Sequence, residues 1–168
     1  MARTSPKPAL RPFLPADVPI LAAIYQESIL ELTGEDYSEA QQAAWAAAAE
    51  DEAAFGARLS GGLTLLATIA GSPVGFASLK GPDVLDLLYV HPSATGQGAG
   101  TLLCDALEKL AAARGAARLT VDASDNALPF FEARGYRAER RNTVPVEDEW
   151  LATTTMRKTL VSVGERQA

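Results

Sequence analysis

Gly96-Gln97-Gly98-Ala99-Gly100 stands between an apolar, strand-like run, Val84–Val90, and a helical pattern that begins immediately after it. Alternating glycines ahead of a helix let backbone N–H groups close on a ligand with no Cβ in the way. The helix start adds unpaired donors and a partial positive charge, which together suit a phosphate or pyrophosphate. No Lys or Arg lies between Gly81 and Glu108, so backbone amides must hold any anion bound there. A P-loop needs Gly-Lys-Ser/Thr where Gly100-Thr101-Leu102 stands, and the third glycine of a dinucleotide fingerprint would fall on Leu103. Just upstream, Asp86 places a carboxylate inside the otherwise apolar Leu85-Asp86-Leu87-Leu88-Tyr89-Val90. The one histidine, His91, precedes Pro92 and reads as a turn residue. The one cysteine, Cys104, reads as a small buried hydrophobe. With a single His and no His/Cys/carboxylate spacing of a metal site, neither a zinc centre nor a histidine triad is expected.

These residues need a frame, and hydrophobic periodicity outlines one. Pro8–Phe13 reads as a first strand. Asp17 is placed to cap a helix from Val18 to about Leu32, with Leu21, Ile24, Tyr25 and Ile29 as its apolar stripe. Ser38 followed by Gln41 is a capping box that opens a second helix, and DEAAFGARL reads as a third. GLTLLATIA, VGFASLK and VLDLLYV, joined by Gly71-Ser72-Pro73 and Gly81-Pro82-Asp83, read as an antiparallel meander. Beyond the glycine loop, Leu102, Leu103, Ala106, Leu107 and Leu110 repeat at helical spacing up to Gly115. RLTVDA returns as a strand, PFFEAR as a helix, and two strands close the chain near Arg137–Val144 and Trp150–Lys158. A helix crossing over between strands demands a parallel pair, so the expectation is an α/β fold with a mixed, mostly antiparallel sheet and helices on both faces.

The chain has 168 residues, in keeping with one domain (core about residues 8–160) that stands without staples. Net charge of −6 argues against a general nucleic-acid binder. No run approaches membrane-spanning length, and the N-terminus has no apolar signal core. With no disulfide possible, a cytoplasmic protein is expected, with loose ends before the first strand and after Leu160.

Val90-x-Pro92, a short gap and Gly96-x-Gly98-x-Gly100 after a strand resemble the acetyl-coenzyme A loop of the GNAT-superfamily N-acetyltransferases. Thr95 stands where Arg or Gln is usual. A second block, Leu119–Tyr136, resembles the family's next motif, with Asn126, Ala127, Phe130, Gly135 and Tyr136 in register. Asp36-Tyr37-Ser38 with Trp45, Leu119–Ser124 and Pro129–Glu132 are similar to a bacterial subgroup of largely unassigned substrate. The resemblance runs from about Leu10 to Lys158.

It implies acetyl transfer from acetyl-CoA, a cosubstrate used without metal, to an amine, a small molecule ahead of a protein. Asp86 falls where these enzymes often carry a catalytic carboxylate, and burial among leucines would strengthen it as a base. Asp122 is the rival, lining the acceptor pocket or capping the turn into Asn126. Main-chain groups of Leu88, Tyr89 and Val90 would hold the pantetheine arm. Gly96, Gln97, Gly98, Ala99, Gly100 and Thr101 would take the pyrophosphate. Asn126 and Phe130 would flank the cofactor, with Asn126 equally able to cap a helix and Phe130 to fill core. Tyr37, Ser38 and Trp45 would face the acceptor, or only cap and pack. Glu27 and Glu31 could favour a cationic amine or form a solvated face, and Arg134 could reach a CoA phosphate or lie at the surface. Many relatives protonate the leaving thiolate with a tyrosine where this chain has Phe131, which has no proton to give. Either another group, Tyr136, Tyr89 or Tyr37, protonates the thiolate, or water does so for a thiolate that leaves readily. A homodimer through the last strands follows from the same resemblance, and a CoA-binding sensor without turnover is the alternative from another class.

Overall fold

The computed structural model describes residues 6–161. The loose ends expected beyond these bounds lie outside the described residues.

Seven strands form one sheet in the order β1-β2-β3-β4-β5-β7-β6. The strands are β1 (Ala9–Pro12), β2 (Leu63–Ile69), β3 (Ser72–Lys80), β4 (Val84–Val90), β5 (Arg118–Ser124), β6 (Arg137–Val146) and β7 (Glu149–Thr159). Every neighbouring pair is antiparallel except β4 with β5, as the crossover required. The helices are α1 (Val18–Leu32), α2 (Glu39–Ala46), α3 (Glu52–Ser60), α4 (Ala99–Ala113) and α5 (Leu128–Ala133). No helix among the described residues is long and apolar enough to cross a membrane.

One face of the sheet buries Leu21, Ile24, Tyr25 and Ile29 of α1 with Phe55 and Leu59 of α3 against Leu66, Phe76 and Leu87. Full burial of each such side chain contributes about 1.5–3 kcal/mol, which outweighs the middling helix propensity of α1. The other face packs Leu103, Cys104, Leu107 and Ala111 of α4 against Ala77, Leu79, Leu119 and Met156. The stripe read from the sequence of α4 is therefore rotated. Cys104 and Ala111 are buried, while Leu102, Ala106 and Leu110 lie at its margins. Small residues at the contact let the helix settle close to the sheet.

Capping follows the sequence at α2, where Ser38 accepts from the Gln41 N–H and Gln41 reaches back to the Ser38 N–H. Asp17 departs from expectation. Its carboxylate does not cap α1 but accepts from the Leu14 N–H and takes a bidentate ion pair from Arg11 at 2.7 and 2.8 Å. That tethers β1 to the turn entering α1. Arg11 holds the Asp17 carboxyl below its ordinary value.

Glu108 on α4 joins three elements. It accepts from Lys158 Nζ at 2.7 Å, Tyr136 Oη at 3.0 Å and Arg134 Nη2 at 3.1 Å. Arg134 also pairs with Asp105 and sits over the Phe130 ring. It is thus enclosed, neither a surface arginine nor an obvious phosphate ligand. Burial pushes the Glu108 carboxyl up, yet its bonds to Lys158 and Arg134 bring it below the ordinary range. A lowered carboxyl stabilises the fold above its unfolded pKa, and that contribution disappears as pH falls through the folded value. Glu108→Gln should cost about 1–2 kcal/mol at pH 7, because Lys158 loses its charge partner while Arg134 keeps Asp105 and the site is half-buried. Thermal melts from pH 7 to pH 3 should then show a shallower acid loss in the variant than in the wild type.

Candidate active site

Strands β4 and β5 are hydrogen-bonded in parallel only at Val84↔Thr120 and Leu85↔Val121. The next residue on each strand is an aspartate, Asp86 on β4 and Asp122 on β5, and from there the strands diverge. β5 stays zipped to β7 along its whole length. β4 stays with β3, where Ala77 pairs Leu88 and Gly75 pairs Val90. The opposite edge of β4 beyond Leu85 therefore faces a cleft with no strand beside it, and an extended ligand can pair there as a strand would.

A β-bulge sets the direction of Asp86. In the β3–β4 register Ser78 opposes Leu87 and Leu79 opposes Leu85, which leaves Asp86 as the extra residue. The bulge turns the carboxylate toward α3, where Arg58 donates from Nε at 2.9 Å and Nη2 at 3.1 Å. The apolar burial expected from the leucines around Asp86 is not its environment, because the bulge removes it from the alternation. Asp122 accepts through Oδ1 from Thr153 Oγ1 at 2.7 Å and from Asn142 Nδ2 at 3.2 Å, and it caps no turn. Its Oδ2 has no partner among the described residues.

Both carboxylates line a cavity of about 320 Å³ walled by Tyr25, Trp45, Tyr89, Val144 and Leu151, with Arg58 at its edge. Trp45 Nε1 donates to Tyr89 Oη at 3.2 Å, and Tyr89 stacks on Phe76. Burial pushes the Tyr89 phenol well above its ordinary value, so it remains protonated. Of the three acceptor-side residues named from sequence, the structure brings only Trp45 to this cavity. Ser38 is engaged as the α2 cap. Tyr37 is an internal pin, its hydroxyl donating to Ala152 O at 2.6 Å and accepting from the Asp125 N–H at 2.9 Å.

A smaller cavity of about 110 Å³ lies at the other end of β4, lined by Ile29, Thr33, Tyr89, Val90, Thr95 and Asn126. Tyr89 borders both cavities. Asn126 does not cap α5, whose N-cap is Ala127; it accepts from Ser124 Oγ at 2.7 Å and turns to this smaller cavity. Thr95 Oγ1 donates to Pro92 O, which fits a short neutral side chain to the turn. Gly96 and Gly98 have φ of +78° and +90°, a region L side chains avoid. Gly98 is the N-cap of α4 and supplies no side-chain oxygen, so the first N–H groups of the helix, at Ala99, Gly100 and Thr101, remain available to a ligand. Gln97 donates to Ser93 O, and Phe130 packs toward Gly100.

The remaining candidates are structural. Glu27 pairs with His91, whose Nδ1 accepts from the Ser93 N–H. Cys104 is fully buried, and burial pushes its thiol up to about 12, which removes it as a nucleophile. Tyr136 is held by Glu108 behind α4 and Phe131 is buried beside it. Arg58 is the residue sequence reading missed. It sits in an unremarkable exposed helix pattern, and only the fold brings it to Asp86.

A mixed sheet that parts between two parallel strands, with a glycine turn and an uncapped helix at the mouth, is the acetyltransferase architecture. The chain belongs to the GNAT family of N-acetyltransferases: the family description "Acetyltransferase (GNAT) domain" matches residues 33–160. The uncharacterized N-acetyltransferase YafP of Escherichia coli (strain K12) is 32% identical over 148 residues, spanning 88% of this chain and 93% of that protein. A GCN5-related N-acetyltransferase from Rhodopseudomonas palustris, named "Aminotransferase, Class-II", is 63% identical. Its crystal structure superposes with a TM-score of 0.91 over 95% of this chain and 100% of that one. The PaiA N-acetyltransferase of Thermoplasma acidophilum, solved in complex with coenzyme A, shares the fold at 20% identity and a TM-score of 0.74, covering 91% and 99% of the two chains.

Proposed function

We propose that this acetyltransferase uses acetyl-CoA to acetylate an amine held between Asp86 and Asp122, by direct attack in a ternary complex. The observation that carries the reading is the parting of β4 and β5 at these two aspartates, with uncapped helix donors at the far end of the same cleft. The protein chemistry fits the cosubstrate. The free edge of β4 at Leu88 and Val90 suits the amide-rich pantetheine arm, and the Gly96–Thr101 turn suits the pyrophosphate. Asn126 and Thr95 would border the arm, with Phe130 behind the turn. The crystallised CoA complex of the PaiA relative supports the same choice.

Acetyl-CoA supplies an acyl thioester. The residues of this chain would do the remaining work. An amine of pKa near ~10.4 is almost wholly protonated at pH 7, with a free fraction on the order of 10⁻³. Removing that proton offsets roughly 4–5 kcal/mol of barrier. Asp86 would take it. A carboxylate offers about four lone-pair sites and the bidentate Arg58 uses two, so Asp86 still has room for an amine N–H. Asp122, with Oδ2 open, would orient the nitrogen. The N–C bond forms as the C–S bond breaks, and the departing sulfur takes a proton from solvent. Tyr89 is the one phenol among the three sequence candidates that borders the cleft.

Calorimetric titration with acetyl-CoA, CoA and ATP, followed by thiol release over an amine panel, tests this. Saturable acetyl-CoA binding with turnover of at least one amine is expected. Binding without turnover of any amine would favour a sensor, and no binding of acetyl-CoA up to millimolar concentration would overturn the reading.

A further inference from the structure

Arg58 lines two cavities. One is the acceptor cavity described above; the other, of about 310 Å³, lies on the far side of the Arg58–Asp86 pair and is bounded by Arg58, Gly61, Gly62, Ser78, Lys80 and Asp86. The two spaces meet at that ion pair. Lys80 has no ion-pair partner among the described residues, and Arg58 spends only Nε and Nη2 on Asp86, leaving Nη1 without a protein partner there. The charges along the joined cavities are therefore segregated, with Asp122 on the acceptor side, the Asp86–Arg58 pair shared by both spaces and Lys80 beyond.

An amine with no acid group would meet the aspartates but would bring no anionic partner for Arg58 and Lys80. An acceptor carrying both an ammonium and an acid group would meet complementary charge at both ends. We infer that the acceptor is a zwitterionic amino acid with an apolar side chain, its carboxylate read by Arg58 and Lys80 across the Asp86 pair. This rests on the acetyl-transfer reading and specifies its substrate class. The geometry gives Arg58 two duties. In the free protein it holds Asp86 in place. When the acceptor's carboxylate arrives, the guanidinium fork exchanges partners, because carboxylate and Asp86 compete for the same parallel N–H pair. Asp86 is then released beside the ammonium it must deprotonate. The apolar part of the acceptor would lie on the Trp45–Tyr89–Leu151 wall.

The test compares L-leucine with isoamylamine and L-phenylalanine with 2-phenylethylamine, together with the methyl esters of both amino acids, by thiol release and by calorimetry on CoA-loaded protein. The wild type is expected to favour each amino acid over its decarboxylated partner and its ester by at least about tenfold in kcat/KM. In Arg58→Gln that ratio should fall to about one, through KM. Arg58→Lys, which keeps the charge without the fork, should recover part of it, and it serves if the glutamine variant folds poorly. Equal or better turnover of the plain amines by the wild type, or a preference that survives in Arg58→Gln, would overturn the proposal. If acetyl-CoA binds but nothing on the panel turns over, the acetyl-transfer reading is what has failed. Amino-acid binding to the CoA-loaded protein then decides for Arg58 if Arg58→Gln abolishes it, and against it if none is seen.

Discussion

Asp86→Asn should lower turnover at pH 7 by at least about tenfold while leaving the affinity for CoA nearly unchanged. General-base assistance contributes ~10²–10⁴-fold where it operates, and asparagine keeps the shape while losing the ability to accept a proton. CoA affinity is spared because the proposed cofactor contacts lie along Leu88–Val90 and at Gly96–Thr101, beyond the vertex where Asp86 stands. Stability should change little, because the Arg58 partner is 44% exposed and exposed ion pairs contribute about 0–1 kcal/mol. The pH profile separates base loss from general damage. As pH rises the free amine becomes common in solution and the missing base matters less, so the gap between variant and wild type should narrow. Steady-state thiol release from pH 6.5 to 9.5 measures this. Unchanged turnover in Asp86→Asn with a large loss in Asp122→Asn would transfer the role to Asp122, whose Oδ2 is open to the same cavity.

The second large effect is expected at the opposite end of the cleft. Gly98→Val should weaken CoA binding by at least about tenfold in calorimetry. At φ of +90° an L side chain costs roughly 1–2 kcal/mol, and a β-branched one fits worst. No protein atom lies within 4 Å of the position a Cβ would take, so the demand for glycine there comes from backbone conformation, and the space is open to the proposed pyrophosphate. The turn would relax out of the left-handed region and carry the first N–H groups of α4 away from their present direction. Gly100→Ala is the contrast. Its Cβ would meet Phe130 at 3.7 Å, an ordinary contact, and its fold should be intact. Equal affinity in Gly98→Val would mean that the pyrophosphate is held elsewhere.

How far the sequence speaks differs from residue to residue. The glycine turn was legible because alternating glycines stand directly ahead of an amphipathic pattern, and the turn and the helix start fall where the spacing put them, while the positive φ at Gly96 and Gly98 came from the structure. The Ser38–Gln41 box was equally local. Asp17 shows the limit of such reasoning. Its type and position suit an N-cap, yet Arg11, six residues earlier, makes the stronger charge-assisted offer and draws the carboxylate to β1. Arg134 and Glu27 were open choices from sequence for the same reason, since their partners come from α4 and from the end of β4.

What the sequence determined by itself is the order of elements, the meander, the crossover, the glycine turn and the placing of an aspartate on each of the two parting strands. All of these rest on short-range periodicity and on residue types with few alternatives. Tertiary structure alone decided where the aspartates look. A bulge at Asp86 cannot be read from Leu-Asp-Leu-Leu, because it arises from the β3 register, where Ser78 and Leu79 skip one partner. The meeting of Arg58 with Asp86, the pinning of Tyr37 away from the cavity and the parting of β4 from β5 are likewise long-range events. Each depends on chain segments brought together by burial, and burial fixes which face of an element turns inward without recording in the sequence which neighbour it will meet.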